Sequence, residues 1–482
     1  MSSRLVVISN RLADLNKPAA GGLAIALGGV LRSGGGVWLG WSGNIVPYQD
    51  ENSVACTTVG NVDFLSIDLD EGEHQGYYKN YANGTLWPLL HQRVDIAVFD
   101  SSSEKIYRSV NKRFAHALLS VLREDDVIWI HDYHLIPLAE ELRAAGVMNR
   151  IGFFLHTPLP PPATLSVLPN HEWLLSSLFA CDLVGFQSNE DRVNFLSYVQ
   201  IYFGDEAVDG STVTRRRRTI VGSFPIGIDV DSFQAVAQSP AAQAMCAGMR
   251  EEYSKRKLLI GVDRLDYSKG IPQRIRSFGA FLHSFREFRR SATLIQIASP
   301  SRDDINAYAE IQRELESLCG SINGDFGELD WMPIRYIHKT LNQDELAGLY
   351  QAAKVALVTP LRDGMNLVAK EFIAAQNPYK PGVLVLSKFA GAAEQMREAL
   401  IVNPYDTEST VHAIHRALVM PLHERQERHR ALLATIKRYD LHWWCKGFLH
   451  ALTRPESKHD YSIKSILKKV LNRIDADSNR IR

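Results

Sequence analysis

Short apolar runs rich in β-branched residues recur along the whole chain, each closed by turn-forming residues. They are Leu5–Ile8, Val127–Ile130, Ile151–Leu155, Leu183–Phe186, Leu258–Val262, Thr293–Ile297, Val355–Val358 and Val383–Leu386. Longer amphipathic stretches lie between them, among them Ile271–Phe285, Ile305–Leu318 and Leu367–Ala375. That alternation predicts parallel sheets covered by helices on both faces, an α/β fold. At 482 residues the chain exceeds the length at which one core stops growing, so two domains with a ligand cleft between them are expected. A junction is predicted near Phe224–Asp229, dividing residues 1–228 from 229–454. A polar, Lys-rich tail, 455–482, follows, and Ile463–Ile474 has the pattern of a terminal amphipathic helix.

Charge and cysteine usage exclude several classes. Lys plus Arg and Asp plus Glu each number 54, so no net field favours a polyanion, and any anion site must be built from a few converging residues. The run Arg215–Arg218 reads as a solvated loop rather than a nucleic-acid patch. Five cysteines, Cys56, Cys181, Cys246, Cys319 and Cys445, are scattered and form no C-x-x-C pair, which predicts free thiols in a reducing compartment. The opening apolar stretch is too short for a signal segment, and no run approaches the ~18 residues that span a bilayer, so a cytoplasmic location is expected.

Four segments carry chemistry. In Val355–Ala375 a strand, a loop at Pro360–Gly364 and a helix beginning near Met365 follow one another, the arrangement in which helix N–H groups meet a diphosphate. Asp363 in the loop and Glu371 on the helix lie ~12 Å apart by the helical rise, a span that suits a sugar and the ribose of one nucleotide sugar. A cap for Asp363 and an exposed charge for Glu371 are the bland alternative. In Val262–Gly270, Arg264 and Lys269 could converge on a diphosphate, or Asp266 could hold either in a surface ion pair. Near the start, Ser9–Arg11 end a strand, and the paired glycines of Ala20–Leu23 open a helix and would let backbone approach a phosphate. Trp38 and Trp41 read as core. Finally, Asp132 in Trp129–His134 and His156 after the next strand either reach one cleft and hydrogen-bond sugar hydroxyls or are satisfied structural residues. Their spacing with His131 and His134 does not favour a metal.

Together these segments, with Tyr77–Pro88, Gly40–Gly43 and Phe389–Ala393, resemble retaining glycosyltransferases of the GT-B fold and, within them, trehalose-6-phosphate synthases. The resemblance runs from Arg4 to about Leu452. It implies two Rossmann-like domains whose parallel sheets face a central cleft, an N-terminal acceptor domain and a C-terminal nucleotide-sugar domain, with the last helix able to pack back on the first. Carried over by position, Arg264 and Lys269 hold the donor diphosphate with backbone at Gly22 and at Asn366, Leu367 and Val368. Glu371 takes the ribose. Asp363, with backbone at Gly364, Met365 and Asn366, takes the transferred glucose. Asp132 holds acceptor hydroxyls and His156 contacts the donor glucose. Arg11, Tyr78, Trp87 and Arg302 form the acceptor phosphate pocket.

The implied reaction moves glucose from UDP-glucose, or another nucleotide-diphosphate glucose, to glucose-6-phosphate, giving α,α-trehalose-6-phosphate with no metal or resident cofactor. A separate phosphatase would act on the product, and a homo-oligomer is compatible with the reading. The chain departs from the family's usual pattern at Leu159, where Phe is common, and near Ala163, where an acidic residue is frequent. Glycerol-3-phosphate as acceptor is the alternative within this chemistry. A more distant one is a pseudo-glycosyltransferase that couples unsaturated cyclitols. A catalytically silent sugar-phosphate-binding subunit is the alternative outside it, and would be expected to lose some of Arg264, Lys269, Asp363 or Glu371, all of which are present.

Overall fold

The computed structural model describes residues 4–12, 27–28, 31, 34–47, 54–204, 208–209, 212–214, 218–301 and 306–454. Two sheets organise it. The first runs in the order Ala55–Val59, Val62–Asp70, Gly36–Val46, Leu5–Arg11, Val127–His131, Arg150–Phe154, Leu183–Phe186, Arg218–Ser223, Thr212–Thr214 and Val208–Asp209. Its interior from Val62–Asp70 to Arg218–Ser223 is parallel, and antiparallel strands close both edges. The second sheet is parallel throughout, in the order Ile334–Ile337, Ala292–Ser299, Lys257–Arg264, Val355–Val358, Val383–Ser387 and Leu400–Val402. Its central strands are buried nearly end to end, which is why they stand out in the sequence as continuous apolar runs.

The strands that went unanticipated have the weaker signals. Ala55–Val59 is exposed along its length, and Gly36–Val46 mixes glycine and tryptophan with polar residues. A second unanticipated element is the helix His74–Leu86, which winds with the wide i→i+5 pattern over 13 residues. Such helices are rare, usually one turn long, and cluster at functional sites. This one carries Tyr78 and delivers Trp87 at its end.

Two passages join the lobes. The first is the stretch around Ile226, near the expected junction. Lys370 Nζ, in the helix Leu367–Ala375, donates to Ile226 O at 2.7 Å and to Gln395 Oε1 at 2.9 Å. The second is the helix Leu441–Thr453, which returns to the first sheet and lays Phe448 flat on Trp129 with ring centroids 4.7 Å apart. A Cβ on Gly152 or on Gly185 would meet the Phe448 ring at 2.7 Å, so bare glycine at those two strand positions is what lets the helix lie down. No helix among the described residues is long and apolar enough to cross a membrane.

The lobes meet at the carboxyl ends of their strands. Gly364, in the loop after Val355–Val358, packs so tightly on His156, two residues beyond Arg150–Phe154, that a Cβ there would sit 2.0 Å from His156 O.

Candidate active site

Asp363 is anchored by backbone first: its N–H donates to Phe389 O at 3.1 Å, and its carbonyl accepts from Gly391 N at 3.1 Å. Its carboxylate then receives Lys269 Nζ at 2.7 Å and Asn366 Nδ2 at 3.0 Å. The capping alternative fails. Asn366, at φ 75°, is the cap of Leu367–Ala375 and accepts from Ala369 N at 3.3 Å. The N–H groups of Leu367 and Val368 in that first turn have no acceptor within the helix, and the helix dipole adds partial positive charge. Met365 is buried beneath the loop.

Lys269 is 8% exposed, at the end of the short turn Tyr267–Lys269. An ammonium has three donors, and Asp363 takes one, so others remain for an anion. The surface-pair alternative for Asp266 is overturned: its carboxylate is fully buried, accepting from Ser268 N at 2.9 Å and Tyr308 Oη at 3.0 Å. Arg264 ends the strand Lys257–Arg264 exposed, and its guanidinium lies 5.6 Å from the Trp87 ring of the other lobe. Behind this loop Arg274 is wholly buried, held by Asp263, by Thr359 Oγ1 at 3.0 Å and by Gln296 Oε1 at 3.0 Å. That network ties three strands of the second sheet together beneath Lys269. No motif announced it; the signal was a lone arginine on the apolar face of Ile271–Ser284.

Glu371, on the helix Leu367–Ala375, is half-buried. Burial raises its carboxyl to about 7, opposed by the neighbouring Tyr350 hydroxyl. It is no free surface charge.

On the first lobe, Asp132 follows Val127–His131 with φ 75° and ψ 169°, a region that is essentially reserved for glycine and costs ~1–3 kcal/mol. Its N–H donates to Phe154 O at 2.8 Å, and its Oδ1 accepts from His156 N at 3.2 Å. Asp132 and His156 therefore converge, as the strand ends predict. Both ring nitrogens of His156 are engaged, Nδ1 3.3 Å from Gln187 Nε2 and Nε2 3.1 Å from His131 Nδ1, and desolvation lowers the ring to about 3. Among the described residues no group of three or more His, Cys, Asp or Glu side chains is arranged to hold a metal.

Three of the predicted acceptor residues, Arg11, Tyr78 and Trp87, are linked by a run of ring contacts. The Arg11 guanidinium lies 5.5 Å from the Trp41 ring. Trp41 and Tyr78 have centroids 5.4 Å apart, and Tyr78 stacks on His134 at 6.0 Å. His134 in turn packs on Tyr133 at 3.9 Å, and Tyr133 on Trp87 at 5.6 Å. Trp38 and Trp41 are buried, as read from the sequence, though Trp41 also serves as the platform for Arg11. His91, missed in the sequence, packs its ring 4.1 Å from that of Trp87 and hydrogen-bonds Trp87 O at 2.8 Å. The calls on Gly22, Arg302 and the tail 455–482 lie outside the described residues.

Beside Asp363 the cleft is lined by Pro158, Leu159 and Asp191 from one lobe and by Lys388 and Phe389 from the other. Leu159 N donates to Asp191 Oδ1 at 2.8 Å, which pins the proline-rich loop. Glu394 of the second lobe accepts from Asn189 N at 3.1 Å and Glu190 N at 3.3 Å, at the start of the helix Asn189–Phe203.

Two parallel-sheet lobes facing each other across a cleft, with cations and carboxylates at the strand ends, define a glycosyltransferase of the GT-B class. Residues 8–454 match the model of glycosyltransferase family 20, and the chain belongs to that family. A trehalose-6-phosphate synthase of Sinorhizobium fredii is 44% identical over 456 residues, 94% of this chain and 98% of its own. A solved α,α-trehalose-phosphate synthase (UDP-forming) of Burkholderia xenovorans, in complex with glucose-6-phosphate, matches with a TM-score of 0.89 at 43% identity, covering 94% of this chain and 100% of that one. An E. coli structure described as bound with UDP-2-fluoro glucose matches with a TM-score of 0.90 at 41% identity, again over 94% and 100%.

Proposed function

We propose that the chain transfers glucose from UDP-glucose to glucose-6-phosphate with retention of the α configuration, releasing UDP and α,α-trehalose-6-phosphate. The observation that carries this reading is the juxtaposition, in one cleft, of the Lys269–Asp363 pair and Arg264 from one lobe with Trp87, Asp132 and His156 from the other. The relatives' glucose-6-phosphate and UDP-2-fluoro glucose complexes support the same acceptor and donor.

In this reading Lys269 and Arg264 receive the negative charge that grows on the diphosphate as the glycosidic bond breaks, and the N–H groups of Leu367 and Val368 add to it. Asp363, with backbone at Gly364 and Met365, holds the glucose, and Glu371 accepts from the ribose hydroxyls. Asp132 grips the acceptor sugar, and Arg11 and Tyr78 its phosphate, with Trp87 walling the sugar beside it. The acceptor attacks on the face the diphosphate leaves, and that diphosphate takes its hydroxyl proton, so positioning and charge stabilisation supply the catalysis. No metal or resident cofactor takes part. The reaction is cytoplasmic, and a separate phosphatase consumes the product.

A matrix of nucleotide-glucose donors against glucose-6-phosphate and glycerol-3-phosphate, with product identification, tests the proposal. UDP-glucose with glucose-6-phosphate should give trehalose-6-phosphate as the dominant product. Preferred use of glycerol-3-phosphate, or no nucleotide release with any pair, would overturn it.

A further inference from the structure

The ring of His156 lies in a chain of hydrogen bonds whose direction can be read from one end. Ile226 sits in the passage between the lobes, and its backbone N–H can only donate. It does so to Gln187 Oε1 at 3.0 Å. The carboxamide orientation is thereby set, so Gln187 Nε2, 3.3 Å from His156 Nδ1, is the donor of that contact. Nδ1 of His156 must be bare. A neutral imidazole carries one proton, which then sits on Nε2 and points to His131 Nδ1 at 3.1 Å. His131 accepts at Nδ1, so its own proton is on Nε2, a buried atom without a hydrogen-bond partner among the described residues.

The surroundings agree with two neutral rings. His131 is fully buried and Gln187 is 2% exposed. Trp129, Phe154 and Trp444 pack on the histidine pair at centroid distances of 4.6, 4.7 and 6.0 Å, an apolar shell that penalises imidazolium. Desolvation lowers both rings, His156 to about 3.

Ile226 is held from the other lobe as well. Its carbonyl accepts Lys370 Nζ at 2.7 Å, and Lys370 is the residue before Glu371 on the helix Leu367–Ala375. A single residue of the passage, Ile226, thus registers the Glu371 helix on one side against the His156 ring on the other.

We propose that Gln187 is a positioning residue for glycosyl transfer. It holds His156 as the Nε2–H tautomer and couples that ring, through Ile226, to the placement of the second lobe's helix. The inference rests on the reading that His156 borders the reacting sugars.

The test uses the full chain with histidine labelled at both ring nitrogens. Nitrogen NMR at neutral pH, assigned by loss of signal in single histidine variants, should find His156 and His131 as neutral Nε2–H tautomers. An Nδ1–H tautomer or a doubly protonated ring at His156 would overturn the proposal. Gln187→Glu keeps an acceptor for Ile226 N but cannot donate to His156, so the His156 proton should move to Nδ1. With it kcat should fall roughly ten- to hundredfold while the donor KM stays within about threefold. A folded Gln187→Glu protein with wild-type kcat refutes the role.

Should that variant not fold, Gln187→Met replaces it. Methionine keeps the side chain's length but offers no N–H donor, so the same loss of kcat is expected, and unchanged kcat again overturns the proposal. The tautomer readout does not depend on which sugars are joined, so it stands apart from any failure of the donor and acceptor assignment.

Discussion

Gly364 and His156 belong to different lobes, yet a Cβ on the glycine would sit 2.0 Å from the histidine's carbonyl oxygen and 3.0 Å from its carbonyl carbon. Both are backbone atoms in a strand-end loop whose N–H is tied to Asp132, so neither can yield without shifting the site. Gly364→Ala is therefore expected to lower kcat roughly a hundredfold, the cost of about 1 Å of misplacement, and to lower the thermal midpoint as well, because backbone has to shift to admit the methyl group. Steady-state kinetics and thermal unfolding of the same sample check it.

Lys269 and Asp363 neutralise each other at 10% and 15% side-chain exposure. In the proposed reaction Lys269→Met removes the cation that faces the leaving diphosphate, and it leaves the carboxylate with Asn366 as its neutral donor. A loss of roughly 10²–10³ in kcat/KM is expected, comparable to removing one charge-stabilising donor elsewhere. A loss below about tenfold would contradict the role of Lys269.

Glu371 predicts a pH dependence. Its carboxyl is raised to about 7 by burial, and in the proposed role it is the ionised form that accepts from the ribose hydroxyls. Donor KM should rise as pH falls below about 7, and Glu371→Gln should raise donor KM and flatten that dependence. The folded state holds this proton more tightly than the unfolded one, so the group's contribution to stability is lost as pH rises towards about 7. Glu371→Gln should accordingly gain stability over the parent at about pH 8 and not at about pH 4, measured by thermal midpoints.

Asp132 occupies a backbone conformation suited to glycine. Asp132→Ala and Asp132→Gly both lose the carboxylate and both should lose transfer activity. Only alanine keeps the strain, so Asp132→Gly should be the more stable of the two by ~1–2 kcal/mol. Equal thermal midpoints for the two proteins would count against strain at this position.

Arg11, seated over Trp41, stands apart from the donor residues in this scheme. Arg11→Ala should raise the acceptor KM about tenfold or more and leave donor KM within about twofold. Parallel loss of both would contradict its assignment to the acceptor phosphate.

Legibility in the sequence followed burial and locality. The central strands, covered on both faces, were visible as apolar runs, whereas Ala55–Val59, exposed along its length, was not. Asp363, Lys269, Arg264 and Glu371 could be singled out as candidates because strand, loop and helix are contiguous there. Gln187 and Arg274 were not, because each acts through partners distant in the chain: Gln187 through Ile226 and His156, Arg274 through Thr359 and Gln296.

By itself, then, the sequence determined the α/β class, the two-lobed organisation and most of the charged residues at the strand ends, since periodicity and turn chemistry are local properties. Tertiary structure alone decided that Asn366 rather than Asp363 caps the helix, that Asp266 is buried, that Asp132 is strained and which way the protons run from Ile226 to His131. Those outcomes depend on hydrogen-bond partners and desolvation supplied by residues far apart in the chain, and no local pattern encodes which of them will meet.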